Sequence, residues 1–328
     1  MPQSETDRSD DSGVEPMVDA VRRFVREVLI PAEHQVEEDD DIPKSITDQL
    51  GELGLFGMTI PEKYDGLGLT MYEEARVVFE IGYASPVFRS YFGTSNGVGT
   101  LGILADGTEE QRQKYLPKIA KGKMLASFCL TEPDAGSDAA ALSTRAVRDG
   151  DHYVISGTKR FTTNSPHAGV FTVFARTAPK EAGPAGISAF LVDAGLPGLT
   201  VAPHYKKMGF RGSHTADVIF ENCRVPASAL LGEHGLDHLE VGDGLAELAA
   251  LGGVAHALVN EARGEAHGHG RHVQARMVEG LHRGLEAHAL FAAEQRGSRH
   301  AAVLEDHVRS VRAAKAHFLV VRRDGEAR

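Results

Sequence analysis

The chain has no tryptophan and only two cysteines, Cys129 and Cys223. Two thiols in a chain of 328 residues exclude a disulfide-stapled scaffold and lead us to expect a reducing, cytoplasmic compartment. No apolar run approaches the roughly 18 residues of a membrane-spanning helix, so no membrane association is expected. Basic charge is scarce. Lys and Arg number 35 against 46 Asp and Glu, a net charge of −11, which speaks against a nucleic-acid-binding face. Met1–Gly13 is acidic and polar and lacks the apolar centre of a signal peptide, so residues 1–13 are expected to be a disordered tail. What is present is ordinary for a globular protein: 42% hydrophobic and 25% charged residues, with length for two or three domains.

Residues 14–122 carry a helical period. Met17, Val18, Val21, Phe24, Val25, Val28 and Leu29 form one stripe, and Pro31 is expected to end that helix. The acidic run Glu37–Asp41 reads as a solvated loop. Further helices are expected over Pro43–Leu53, closed by Gly54, over Met71–Gly82, and over Thr108–Ile119 with Thr108 as N-cap. Gly93-Thr94-Ser95-Asn96-Gly97 matches a G-x-S-x-G nucleophile elbow, and Gly97 to Gly102 matches G-x-G-x-x-G. Both patterns need a strand before and a helix after, and neither has them. A close-packed helix rich in small residues is the simpler expectation.

Over residues 123–229 the period shifts towards two, with glycine and proline as punctuation. Strands are expected over Leu125–Thr131, Ser143–Arg148, His152–Thr163, Val170–Arg176, Ile187–Val192 and Asp217–Phe220, with Asp149-Gly150 as a hairpin turn. Such strands argue for a small β-barrel or sandwich. The run Phe128-Cys129-Leu130-Thr131-Glu132-Pro133-Asp134-Ala135-Gly136-Ser137-Asp138 begins as a strand. Met124, Ala126, Phe128 and Leu130 share a face, and Pro133 ends the ladder. Gly136 is free to take a positive φ. The hydroxyls of Thr131 and Ser137 could surround a planar polar ligand, although on these residues alone a plain β-turn serves as well. Cys129, mid-strand, reads as a buried thiol.

This run resembles the flavin-binding signature of the acyl-CoA dehydrogenases. The resemblance extends from about Val14 to about Gly232. Met58–Gly68 is similar to the family's Pro-Glu-x-Tyr-Gly-Gly-x-Gly turn, with Asp65 in place of the first glycine. Gly157-Thr158-Lys159-Arg160-Phe161-Thr162-Thr163-Asn164 resembles its Gly-x-Lys-x-aromatic-x-Thr-Asn segment, and Met208–Thr215, with Val225-Pro226, resembles its Lys-x-Gly-x-Arg-x-Ser-x-Thr run and closing strand. The resemblance implies FAD as cofactor, held by Phe128, Cys129, Leu130, Thr131, Gly136, Ser137, Phe161, Thr162 and Thr163. Phe161 would cover one face of the flavin, Thr163 would meet its N5 edge, and Ser137 would also meet the substrate. His214 reads as family identification, and nothing in the sequence marks it as a base.

Residues 230–328 depart from the family pattern. Helices are expected over Gly244–Glu261, Val273–Ala293 and Arg309–Val321, an incomplete bundle. The family's Arg-x-x-Phe-Gly-x-Pro run is replaced by Gly264–His272. Its late glycine-rich segment and its usual catalytic Glu are expected to lie beyond the last residue. Glu247 stands near the alternative position of the base, one residue away, and is the candidate base, ahead of Glu240. Eleven of the 16 histidines lie beyond Glu233, among them His267, His269 and His272. A glycine-rich solvated loop accounts for those three more simply than a metal cluster, and no metal is expected.

The fold expected is therefore α+β and multidomain: an all-α N-terminal domain, a middle β domain and a shortened helical C-terminal domain. The function implied is α,β-dehydrogenation of an acyl-CoA thioester with hydride transfer to flavin N5. The partners implied are an electron-transfer flavoprotein as acceptor and further copies of the chain in a homo-oligomer. The alternative is a catalytically inactive homologue or fragment that only binds flavin, acyl-CoA or a partner subunit.

Overall fold

The computed structural model describes residues 13–232. Glu240, Glu247, His267, His269, His272 and the three helices expected beyond residue 243 lie outside the described residues.

The N-terminal domain is helical. Its first rod runs through α1 (Glu15–Phe24), a π-turn (Val25–Leu29) and α2 (Ile30–Asp39). The rod therefore does not stop at Pro31. The π-turn restarts the hydrogen-bond register, and Pro31 falls in the first turn of α2, where an absent N–H costs least. Glu37 to Asp39 likewise belong to α2 rather than to a loop, and Asp40 closes the helix at a left-handed φ of 56°. Then follow α3 (Lys44–Glu52), α4 (Met71–Ile81), α5 (Pro86–Gly93), α6 (Leu101–Asp106) and α7 (Glu109–Ala120). Both α4 and α7 start in capping boxes. Thr70 pairs reciprocally with Glu73, and Thr108 with Gln111. The apolar stripe of α1 delivers Val18 and Val21 into a core with Phe56, Val77, Ile81, Phe88 and Phe92.

The middle domain is one curled seven-stranded sheet: β1 (Leu125–Cys129), β2 (Arg145–Asp149), β3 (His152–Thr163), β4 (Ala168–Arg176), β5 (Ile187–Asp193), β6 (Leu199–Val201) and β7 (Thr215–Pro226). The order is β1-β4-β2-β3-β7-β6, with β5 on β4. The Asp149-Gly150 hairpin joins β2 to β3, and Gly150 takes a φ of 63°. Six strands were expected. The seventh, β6, has only three residues, too few for a period of two to register.

The two domains meet along α7, whose Tyr115, Leu116 and Ile119 share a core with Val170, Phe174 and Leu191, and again at the segment between α5 and α6. Gly99 lies flat on β1: a Cβ there would stand 2.5 Å from Ala126 Cβ and 2.6 Å from the Thr94 carbonyl oxygen. The small residues around it are therefore an interface requirement, not a phosphate loop. They form turns ahead of α6 and not the continuous helix expected. Ser95, the serine of the elbow pattern, is fully buried, and its Oγ accepts a hydrogen bond from Ala126 N at 3.3 Å.

Candidate functional site

The described surface is cut by a cavity of about 220 Å³ lined by Thr94, Val98, Phe128, Leu130, Thr131, Arg160, Phe161 and Thr163. Three pieces of chain build it: the turn after α5, the end of β1, and the far end of β3. The site begins with a defect in β3. Between Lys159 and Thr162 its pairing with β7 shifts register, and Phe161 is driven to a φ of 57°. An aromatic residue in the left-handed region carries about 1–2 kcal/mol of strain. The bulge turns the ring out of the sheet, leaving Phe161 59% exposed and stacked obliquely on Tyr205 at 5.4 Å. A large apolar ring held at such a cost, facing open space beside hydroxyls, is the mark of a ligand platform.

The opposite wall is the end of β1. Phe128 packs on Phe174 with ring centroids 5.0 Å apart, and the Thr131 carbonyl accepts from Arg160 N at 2.7 Å, tying the wall to the bulge. Beneath it runs a buried ion pair that sequence reasoning passed over. Lys159 Nζ donates to Glu132 Oε1 at 2.7 Å and to the Leu130 carbonyl at 3.0 Å. The two side chains are 0% and 2% exposed. Glu132 also accepts from Ser143 N, Ser143 Oγ and Thr144 N. Burial alone would raise the Glu132 pKa, but the Lys159 charge and these hydrogen bonds outweigh it and hold the carboxyl at about 2. Burial, only partly offset by Glu132, draws Lys159 below the usual lysine range. Both residues stand in the signature runs, but nothing local marks Lys159, flanked by Thr158 and Arg160, as a buried cation.

The third wall is tied down by Asn164, which follows Phe161 and Thr163 at the end of β3. It takes a φ of 60°, and its Nδ2 donates to the Ser90 and Tyr91 carbonyls and to Thr94 Oγ1, all within 3.0 Å. Asn164 thus docks β3 onto the carboxyl end of α5 and places Thr94 and Val98 in the cavity wall. Neither of those two was expected from sequence.

Of the residues singled out in the sequence, Phe128, Leu130, Thr131, Phe161 and Thr163 come together on this cavity. Cys129 and Thr162 sit behind it in the core, 3.7 Å from each other through Sγ and Oγ1. Burial pushes the Cys129 thiol up to about 12, so it stays protonated and inert. Gly136 and Ser137 lie in the exposed turn after β1 and are not among the lining residues. Gly136 takes no positive φ, because the reversal is made earlier by the Glu132–Ala135 pairing. Glu247, the candidate base, is outside the described residues.

With this geometry in place, comparison with known proteins gives a consistent result. Residues 14–123 match the model for the acyl-CoA dehydrogenase N-terminal domain, and residues 127–223 match that for the acyl-CoA dehydrogenase middle domain. An acyl-CoA dehydrogenase of Bacillus subtilis is 40% identical over 215 residues, covering 66% of this chain and 56% of the relative. The mitochondrial isovaleryl-CoA dehydrogenase of Pongo abelii is 34% identical over 277 residues, covering 79% of this chain and 65% of the relative. This chain therefore spans less than two thirds of the length of either. The structure of an acyl-CoA dehydrogenase complexed with FAD from Bacillus anthracis superposes with a TM-score of 0.67 at 30% identity, covering 90% of this chain and 46% of that one. Two adjoining domain models, covering most of the described residues in the family's order, settle the assignment: the chain belongs to the acyl-CoA dehydrogenase family.

Proposed function

We propose that the cavity between β1 and the β3 bulge holds the ring system of FAD, and that the protein acts in α,β-dehydrogenation of an acyl-CoA thioester. The observation that carries this reading is Phe161, an exposed ring held at positive φ opposite a wall of apolar side chains ending in the Thr131 hydroxyl. The donor set fits a flat heteroaromatic ring. Phe161 offers a face, Phe128 and Leu130 an apolar bed, and Thr131 and Thr163 hydroxyls to a polar edge. Bound FAD would supply the hydride acceptor.

The chain's own residues then have separable tasks. Phe161 and Leu130 exclude water from opposite walls of the slot, which keeps the electrostatics of the site strong. Thr163 and Thr131 orient the polar edge. Lys159 and Glu132 fix the spacing of the two strands that carry these groups. Cys129 and Thr162 fill the core behind the slot, and Gly136 and Ser137 form the exposed turn that follows β1, where Ser137 would meet the CoA-bearing substrate. Glu247 is the proposed base for the α-proton, and it needs a dry site and a raised pKa for that task. An electron-transfer flavoprotein is the proposed acceptor, and a homo-oligomer the proposed assembly.

The test is the visible spectrum of the purified full chain reconstituted with FAD, before and after addition of acyl-CoAs of several chain lengths. Bound flavin that bleaches with one of them is the expected outcome, with Glu247→Gln abolishing the bleaching. Bound flavin that no acyl-CoA bleaches would overturn the dehydrogenase assignment and leave a binding protein.

A further inference from the structure

Away from the flavin slot, five potential metal ligands converge on a second seam between the domains. Asp40 and Asp41 stand at the carboxyl end of α2. His167 follows β3, His204 precedes β7, and His214 adjoins the first residue of β7. Asp41, His167 and His214 each bring one ligand atom into a group no wider than 4.8 Å, and so do Asp40, His204 and His214. His214 belongs to both groups and is buried, 8% exposed.

The hydrogen bonds define the chemistry of His214. Its Nε2 lies 2.6 Å from the Asp40 carbonyl oxygen, which can only accept. Nε2 therefore carries the proton, and in the neutral ring the Nδ1 lone pair is directed elsewhere. It faces His167 Nε2 at 2.6 Å. An imidazole whose N–H is given to a backbone carbonyl while its other nitrogen offers a lone pair is the arrangement of a metal-ligating histidine. The Asp41 carboxylate completes a two-histidine, one-carboxylate set, which suits a borderline divalent ion.

The surroundings support the same arrangement. His204 stacks on His214 at 4.1 Å between centroids, and its Nε2 sits 3.4 Å from Asp40 Oδ2. Asp40 Oδ1 accepts from Gly212 N at 2.7 Å, and Arg211 Nε lies 3.9 Å from Asp40 Oδ2. Asp40 is thus occupied by the loop ahead of β7. Asp41 engages one oxygen with the N–H of Ile42 at 2.9 Å and leaves the other for a cation.

We propose that His167, His214 and Asp41 form a zinc site that staples α2 to the β domain, with Asp40 orienting His214 through its carbonyl and His204 packed behind. With bonds of about 2.0–2.1 Å in tetrahedral geometry, two ligand atoms stand about 3.3 Å apart. Zinc binding therefore requires the His167–His214 contact to open by a fraction of an ångström. A water takes the fourth position.

The experiment is zinc titration of the full chain by calorimetry, repeated with cobalt(II), whose visible bands report tetrahedral coordination. His167 is exposed, so His167→Asn tests the site with little risk to folding, which circular dichroism checks. A combined His267→Asn, His269→Asn, His272→Asn variant removes the histidine-rich segment that could bind zinc by itself. The expected result is a single tight zinc retained by the triple variant and weakened roughly 10–100-fold or more by His167→Asn. Zinc should also raise the melting temperature of the wild type and of the triple variant, but not of His167→Asn. Equal affinity in His167→Asn, loss of the tight zinc in the triple variant, or weak binding that never saturates would each overturn the proposal.

Discussion

Two of the seams that join the domains differ in kind. At the first, Gly99 lies on Ala126, the Ser95 hydroxyl accepts from the Ala126 N–H, and the Asn164 amide spans three acceptors on α5 and the turn after it. Every group there is neutral. At the second, Asp40, Asp41, Arg211 and three histidines meet at the end of α2. The neutral seam adjoins the proposed flavin slot and sets the position of Thr94 and Val98; the ionisable seam lies at the other end of Asn164, whose N–H donates to the His214 carbonyl at 2.7 Å. A wall of a binding slot gains from groups whose charge does not vary with pH. A staple remote from the slot can use charged groups without disturbing the ligand.

That contrast can be broken in graded steps. The largest effect is expected beneath the slot, where Lys159→Met leaves Glu132 charged and unpaired. Urea unfolding should register a loss of about 3–5 kcal/mol. Acid provides the same test without mutation. The folded pKa of Glu132 is depressed to about 2, so its stabilising contribution is complete above the unfolded carboxylate value of about 4.3 and declines as pH falls from there towards 2. Stability measured across that window should fall in the wild type and fall less in Glu132→Gln. An equal decline in both would remove the ion pair from the account.

The neutral seam should yield smaller losses. Gly99→Ala forces a methyl against Ala126 and the Thr94 carbonyl, and a cost of about 1–3 kcal/mol is expected in thermal or urea melts. Asn164→Gly keeps the left-handed backbone permitted but removes the amide, and should cost about 1–2 kcal/mol together with weaker FAD retention. A variant that loses the stability and keeps full flavin affinity would show that Asn164 only ties the domains together.

How far the sequence disclosed this structure depended on the range of the interactions involved. Helices α3, α4 and α7 were legible because their signals are local: an apolar stripe, and Thr108 in front of an acidic turn. The Asp149-Gly150 hairpin was legible for the same reason. The run through Pro31 was not, since a π-turn leaves no pattern in the side chains. Of the site, the motif resemblance pointed to Phe128, Leu130, Thr131, Phe161 and Thr163, which the fold brings to one cavity. It could not separate them from Cys129 and Thr162, because adjacent strand residues face opposite sides and only the bulge at Phe161 decides which side is which. The Lys159–Glu132 pair and the histidine cluster were invisible because their partners are far apart along the chain.

The central claim is that Phe161 is held in a strained conformation in order to face the flavin. Its most direct test is Phe161→Gly, measured for both folding stability and FAD dissociation. Glycine adopts a φ of 57° without strain and the ring makes little core contact, so stability should be unchanged or raised by up to about 1 kcal/mol while FAD affinity falls at least about tenfold. A variant that loses stability and retains FAD as tightly as the wild type would contradict the account, because Phe161 would then be a packing residue of the sheet.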